Sequence, residues 1–152
     1  MSTAAVWWEW QVRLGREDGG SLAPKLYHEV RYEALVSEPA KECETLCSFL
    51  DLPYDDAMLK FHKGRTKMKP GRDAKRAWLP ITSGLRVWSE QMPAEDLERF
   101  EAAAGDLLEE LGYPRACPPP PEEKLARAVR IRESFTREAS ASGKRLPKGW
   151  QA

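Results

Sequence analysis

The sequence predicts an α/β chain that is mostly helical, with about five helices and one central strand. The strand prediction comes from residues 26–33, in which Leu26, Val30 and Tyr32 alternate with charged or polar side chains. The helix predictions come from apolar residues that recur three and four positions apart. Because a lone strand has no partner for its backbone groups, we expect its neighbours to come from absent chain or from a second copy.

A helix is predicted directly after the strand. Ser37 is expected to cap its first turn, and Pro39 suits the first helical position. Apolar side chains then repeat at helical spacing and form one stripe, namely Cys43, Leu46, Cys47 and Leu50. We therefore expect this helix to pack its stripe against a sheet.

Other helices are indicated by the same spacing. One is predicted over residues 4–16, where the tryptophans are expected to pack against the sheet. A short helix capped by Asp55 or Asp56 is expected after Pro53, and a long helix after Pro93 is expected to stop at Gly112.

These segments together resemble the sulfotransferases that use 3'-phosphoadenosine 5'-phosphosulfate (PAPS), in particular the tyrosylprotein branch and its bacterial relatives. The resemblance rests on RYEALVSEP and FLDLP within residues 31–53, on LPITSGLRVW at 79–88 and on LGYP at 111–114. Trp8 and Val12 also fit a Trp-x-x-x-Val helix of that family. The resemblance implies the C-terminal half of a P-loop-type sulfotransferase fold.

The resemblance also implies a donor site for PAPS and its product, 3',5'-adenosine bisphosphate (PAP). In such a site the tyrosine at the end of the strand lies beside the adenosine, and cationic side chains hold the 3'-phosphate. A lysine precedes the tryptophan in the family, whereas this chain has Val87 there and Arg86 one place earlier. The implied donor-binding residues are Tyr32, Arg72, Asp73, Lys75, Arg76, Pro80, Ile81, Ser83 and Arg86.

Two alternatives to these site assignments stay open. Tyr32 also suits the role of a core tyrosine with a satisfied hydroxyl group. The basic stretch, which runs from Lys60 to Arg76 with Asp73 as its single acid, also suits a solvated loop.

No phosphate-binding loop is found in the sequence. The only glycine pair, Gly19 and Gly20, has no apolar strand before it, so it is interpreted as a connector. We therefore expect a missing N-terminal half that carries the 5'-phosphosulfate loop and the transfer base, and we assign no catalytic residue here. This chain alone is expected to be inactive, and the acceptor is expected to be a small molecule or a peptide.

Three regions are predicted along the chain. Residues 1–115 form the sulfotransferase part, and residues 116–121 form a linker because consecutive prolines favour an extended conformation. Residues 122–152 are predicted to form a basic helical tail with a disordered end.

Composition narrows the functional classes. The chain has 24 basic and 24 acidic residues, so its balance of charge favours neither DNA nor a membrane surface. Its three cysteines lack a metal-binding spacing, so no metal is expected. Without a signal peptide or a long apolar run, we expect a cytoplasmic protein. The rival hypothesis is a non-enzymatic helical module that uses the basic loop and tail to bind RNA or an acidic protein.

Overall fold

The computed structural model describes residues 1–63, 80–84 and 87–150. It contains two compact units, one of Met1–Ser21 with Val87–Ala152 and one of Leu22–Arg86. Within the described ranges, no helix has both the length and the apolar character needed to cross a lipid bilayer. The α-helices are α1 (Ser2–Ser21), α2 (Tyr32–Ser37), α3 (Pro39–Phe49), α4 (Trp88–Gln91), α5 (Ala94–Glu110) and α6 (Glu122–Ala141), and a 3₁₀ helix spans Asp56–Lys63.

Three long helices, α1, α5 and α6, pack against one another in the first unit. From α1, Val6 and Trp10 are buried in this core, as their shared helical face predicts. Their packing partners differ from the expected sheet, because Ala104 of α5 and Ala128 of α6 lie in the same buried cluster. The apolar stripe of α1 is therefore covered by helices.

The glycine pair in α1 is a correction to the sequence analysis. Gly19 and Gly20 lie inside the last turn of α1, which continues to Ser21, so they do not form a connector.

A buried carboxylate joins two of these helices. Glu9 of α1 is only 1% exposed, and it accepts hydrogen bonds from Arg13 at 2.8 Å and from Arg132 of α6 at 2.6 Å. Arg132 also donates to the carbonyl oxygen of Ala103 in α5. Because a buried charge is costly unless it is paired, these bonds hold α1 and α6 in one arrangement.

A second buried carboxylate fixes the chain after α5. The side chain of Glu101 accepts hydrogen bonds from the backbone N–H groups of Ala116 at 2.6 Å and Cys117 at 3.2 Å. Arg115 donates to Asp106 at 2.7 Å and lies directly over Gly105, which has no side chain to obstruct it. The start of the predicted proline-rich linker is thus attached to α5.

Part of the predicted tail, residues 145–150, contacts the helices of the first unit. Trp150 is 7% exposed, and the guanidinium group of Arg132 lies 4.7 Å from its ring centroid. The indole N–H of Trp10 donates to the carbonyl oxygen of Arg145 at 2.9 Å. Burial of a large aromatic ring outweighs the polar composition of this segment. The boundaries predicted at residues 115 and 122 stay predictions.

The predicted central strand is wrong. No residue among those the structure describes is in a β-strand; residues 27–31 are irregular, and Tyr32 begins α2. A strand needs a neighbour to satisfy its backbone groups, whereas α2 satisfies them locally, as in the bond from the Leu35 N–H to the Arg31 carbonyl at 2.9 Å.

The start of α3 also differs from the prediction. Ser37 is the last residue of α2, and its hydroxyl donates to the carbonyl of Ala34, so Glu38 takes the capping position instead. Pro39 opens α3 as predicted.

The hydrogen bond from Lys41 to Glu38 raises the pKa of that lysine above its ordinary value.

Helix ends follow the sequence more closely. After α5, Gly112 has φ 78°, and the N–H of Tyr113 donates to the carbonyl of Leu108 at 2.8 Å, which confirms the predicted stop. The short helix after Pro53 is also confirmed, because the carboxylate of Asp55 accepts from the N–H of Ala57 at 2.7 Å.

Candidate donor-binding surface

Tyr32 lies at the start of α2, and the residue is 40% exposed. The preceding Arg31 has extended backbone angles, and its carbonyl accepts the first hydrogen bond of the helix. The exposed fraction argues against a fully buried core tyrosine, so the ring is accessible to a flat ligand such as a nucleobase.

The segment before Tyr32 is attached to α3. The imidazole of His28 stacks on Phe49, with ring centroids 5.1 Å apart and an angle of 27° between the rings. The hydroxyl of Tyr27 donates to the carboxylate of Glu29 at 2.8 Å. These contacts fix where the chain enters α2, and with it the position of Tyr32.

A second predicted site segment is described at residues 80–84. Pro80 and Ser83 are exposed, and Ile81 is half-buried. The hydroxyl of Thr82 donates to the carbonyl of Pro80 at 2.9 Å, and Gly84 has φ 76°, a conformation that favours glycine. This turn belongs to the same unit as Tyr32.

The charged members of the predicted site lie outside the described residues. They are Arg72, Asp73, Lys75, Arg76 and Arg86. The donor-binding assignment therefore stays a prediction.

An aromatic cluster supports the tryptophan that follows the predicted site. Trp88 opens α4, and its ring centroid lies 6.2 Å from that of Phe100 in α5. The ring centroid of Trp8 in α1 lies 5.4 Å from that of the same Phe100. Sequence reasoning singled out both tryptophans as family positions but missed that Phe100 connects them, because their separation along the chain conceals the contact.

Among the described side chains, no three His, Cys, Asp or Glu residues are arranged to hold a metal ion. Partly exposed Tyr32 and the exposed turn at residues 80–84 belong to one unit.

Comparison with known proteins gives the same family as the motifs. The sequence model of the sulfotransferase family matches residues 1–56, a range that includes Trp8, Tyr32 and the end of α3. Protein-tyrosine sulfotransferase 1 of Danio rerio is 34% identical over 98 residues, and the match covers 59% of this chain and 27% of that protein. No solved structure matches this chain significantly. The resemblance drawn from the motifs is thus confirmed: residues 1–56 match the sulfotransferase family model, and the chain spans about a quarter of the length of the curated relative.

Proposed function

We propose that this chain is the C-terminal portion of a PAPS-dependent sulfotransferase and supplies the adenosine and 3'-phosphate side of the donor site. The observation that carries the proposal is the family match over residues 1–56, which contains Tyr32 with its ring exposed. The proposed reaction moves a sulfuryl group from PAPS to a hydroxyl or amine acceptor and releases PAP.

Each proposed site residue has a physical role. Tyr32 stacks beside the adenine, whose flat face suits an aromatic ring. Arg72, Lys75 and Arg76 donate charge-assisted hydrogen bonds to the 3'-phosphate, each worth about 1.5–3 kcal/mol. Arg86 contributes a further cation in place of the family's lysine. The remaining members, which order the segment around the nucleotide, are Asp73, Pro80, Ile81 and Ser83.

Sulfuryl transfer also needs groups that we assign to a missing N-terminal half. In the step itself, the acceptor oxygen or nitrogen forms a bond to sulfur while the bond from sulfur to the phosphate oxygen breaks. A general base takes the acceptor proton, and cationic donors stabilise the leaving phosphate. We propose that the missing half supplies this base and the 5'-phosphosulfate loop, that the acceptor is a small molecule or a peptide, and that the protein acts in the cytoplasm.

Retention on immobilised PAP tests the proposed site. We expect the full chain to be retained and to be eluted by free PAP, and we expect Arg72→Ala with Arg76→Ala to lose retention. The matched control is Arg127→Ala with Arg130→Ala, which removes the same charge from exposed positions of α6 and is expected to leave retention unchanged. Equal losses in both double variants would contradict a specific phosphate site.

The rival function predicts a different result in the same experiment. A module that binds RNA through its cations is expected to bind many sequences, to weaken steeply as salt is raised, and to be indifferent to free PAP. Salt-sensitive RNA binding that PAP fails to displace would replace the sulfotransferase proposal.

A further inference from the structure

Three sulfur-bearing side chains lie on two packed elements of the second unit. Cys43 and Cys47 lie one helical turn apart on α3, and both are buried, at 9% and 5% exposure. Met58 of the 3₁₀ helix brings its Sδ atom to 3.6 Å from the Sγ atom of Cys47. Spacing in the sequence does not predict the contact with Met58, because only the packing of the 3₁₀ helix on α3 brings Met58 to Cys47.

Two features of the arrangement suit a metal site. Side chains four residues apart lie one above the other on a helix, which is the spacing that allows two ligands of one helix to bind one ion. Two sulfurs bound at about 2.3 Å in tetrahedral geometry lie about 3.8 Å apart. The observed distance of 3.6 Å between Cys47 Sγ and Met58 Sδ is close to this value.

The ligand types select the metal. Thiolate and thioether sulfurs are soft ligands, which favour Cu(I) over the harder divalent ions that bind carboxylate or water oxygens. Both cysteines are free thiols, and Met58, which contacts Cys47, is 40% exposed. We propose that Cys43, Cys47 and Met58 form a Cu(I)-binding site, independent of the sulfotransferase donor site.

Binding at this site needs no change in oxidation state. Cu(I) forms bonds to two cysteine sulfurs and one methionine sulfur, and the cysteine thiols release their protons to solvent as they bind. The hydrogen bond between the Cys47 thiol and the Met58 sulfur is replaced by the two bonds to copper.

An anaerobic competition assay tests the site. The full chain is titrated into the coloured complex of Cu(I) with bicinchoninate, and we expect it to remove one Cu(I) per chain. Mutation of a residue that only supports a metal ligand already lowers metal affinity by about 10- to 100-fold. Because Cys43→Ser and Cys47→Ser each remove a ligand itself, we expect each to lower the Cu(I) affinity by at least about 100-fold. Met58→Leu, which conserves volume, is expected to cost at least about tenfold.

Cys117→Ser is the matched control, because Cys117 is the remaining cysteine and lies in the other unit. It is expected to leave both stoichiometry and affinity unchanged. Circular dichroism of each variant reports whether the helices persist, and Met58→Leu keeps the test decisive if a serine variant unfolds. The proposal is overturned by failure of the chain to compete for Cu(I), by unchanged affinity in Met58→Leu, or by loss of binding in Cys117→Ser.

Discussion

At the scale of single residues, this chain buries acidic groups and satisfies each one with specific donors. Glu9 binds two arginines from different helices, and Glu101 binds two backbone N–H groups of the segment after α5. Because each group would be costly if left unpaired, these carboxylates specify which helix faces meet. A substitution that displaces one of the paired arginines is therefore expected to lower the stability of the first unit.

Gly105 tests the position of a further arginine, Arg115. A Cβ atom at Gly105 would overlap the guanidinium group of Arg115 and displace it from Asp106, so we expect Gly105→Ala to lower the free energy of unfolding by at most about 1 kcal/mol. Urea unfolding measures this change. Gly15→Ala is the control, because its Cβ meets open space on α1 and is expected to raise stability by about 0.5–1 kcal/mol. Equal effects of the two substitutions would contradict the packing described at Arg115.

A surface ion pair predicts an acid-sensitive contribution to stability. The guanidinium of Arg13 donates two hydrogen bonds of 2.8 Å to Glu110, and this lowers the pKa of that carboxyl group. Since its folded pKa is depressed, the stabilisation is present above the ordinary glutamate pKa and is lost as pH falls through the folded value. The pair is partly exposed, so we expect at most about 1 kcal/mol.

The measurement is urea unfolding of Glu110→Gln at pH 7 and below about pH 4. We expect the variant to be less stable than the parent at pH 7 and equal to it in acid. Glu133→Gln, at an exposed position of α6, is the control and is expected to show no such difference. A deficit in Glu110→Gln that persists unchanged in acid would count against the ion pair.

At the scale of secondary structure, the end of a helix was predicted correctly from residues close together in the sequence. The β-strand, which depends on pairing with a second strand, was not. The end of α5 is predictable because a helical apolar repeat runs directly into Gly112, and both signals are local. The strand at residues 26–33 is mispredicted because a period of two indicates two alternating faces, while a strand also requires a neighbour. Ser37 is misassigned because two helices meet there and its hydroxyl bonds backward to Ala34.

The end of α3 supports a test at the same scale. Asp51 has φ 55°, and the N–H of Leu52 donates to the carbonyl of Cys47 at 2.9 Å, a helix stop in which glycine is preferred. Asp51→Gly removes the strain of a left-handed conformation, so we expect it to stabilise α3 by about 0.5–1 kcal/mol. Amide hydrogen exchange of the α3 residues measures this local stability.

Asp55→Gly is the matched control. It also replaces an aspartate by glycine, but at a position whose carboxylate accepts a hydrogen bond from the N–H of Ala57. This variant loses a helix cap, so we expect it not to slow amide hydrogen exchange in α3. Faster exchange in α3 of the Asp51→Gly variant would show that the aspartate conformation is not strained.

At the scale of the whole molecule, the sequence reveals the family but not the tertiary packing of the first unit. The motifs around Trp8, Tyr32 and Trp88 are short and local, so they are visible without a structure. The contact of Trp10 with the carbonyl of Arg145 joins residues 135 positions apart, and no local pattern indicates it. For the same reason, the burial of Trp150 is not indicated by the local sequence around it.

The same limit applies to the candidate donor site. Tyr32 and the turn at residues 80–84 are predictable from family motifs, and the structure gives their exposure. Residue types at positions 72–76 predict a cationic chemistry, and the donor-binding role of these positions stays a prediction.

Calorimetric titration of the full chain with PAP and with adenosine 5'-monophosphate tests the central claim most directly, because the two ligands differ by the 3'-phosphate. One charge-assisted bond to that phosphate is worth about 1.5–3 kcal/mol, so the account predicts that PAP binds at least about tenfold more tightly. Equal affinities for the two nucleotides, or binding of neither, would contradict the assignment of a 3'-phosphate site to this chain.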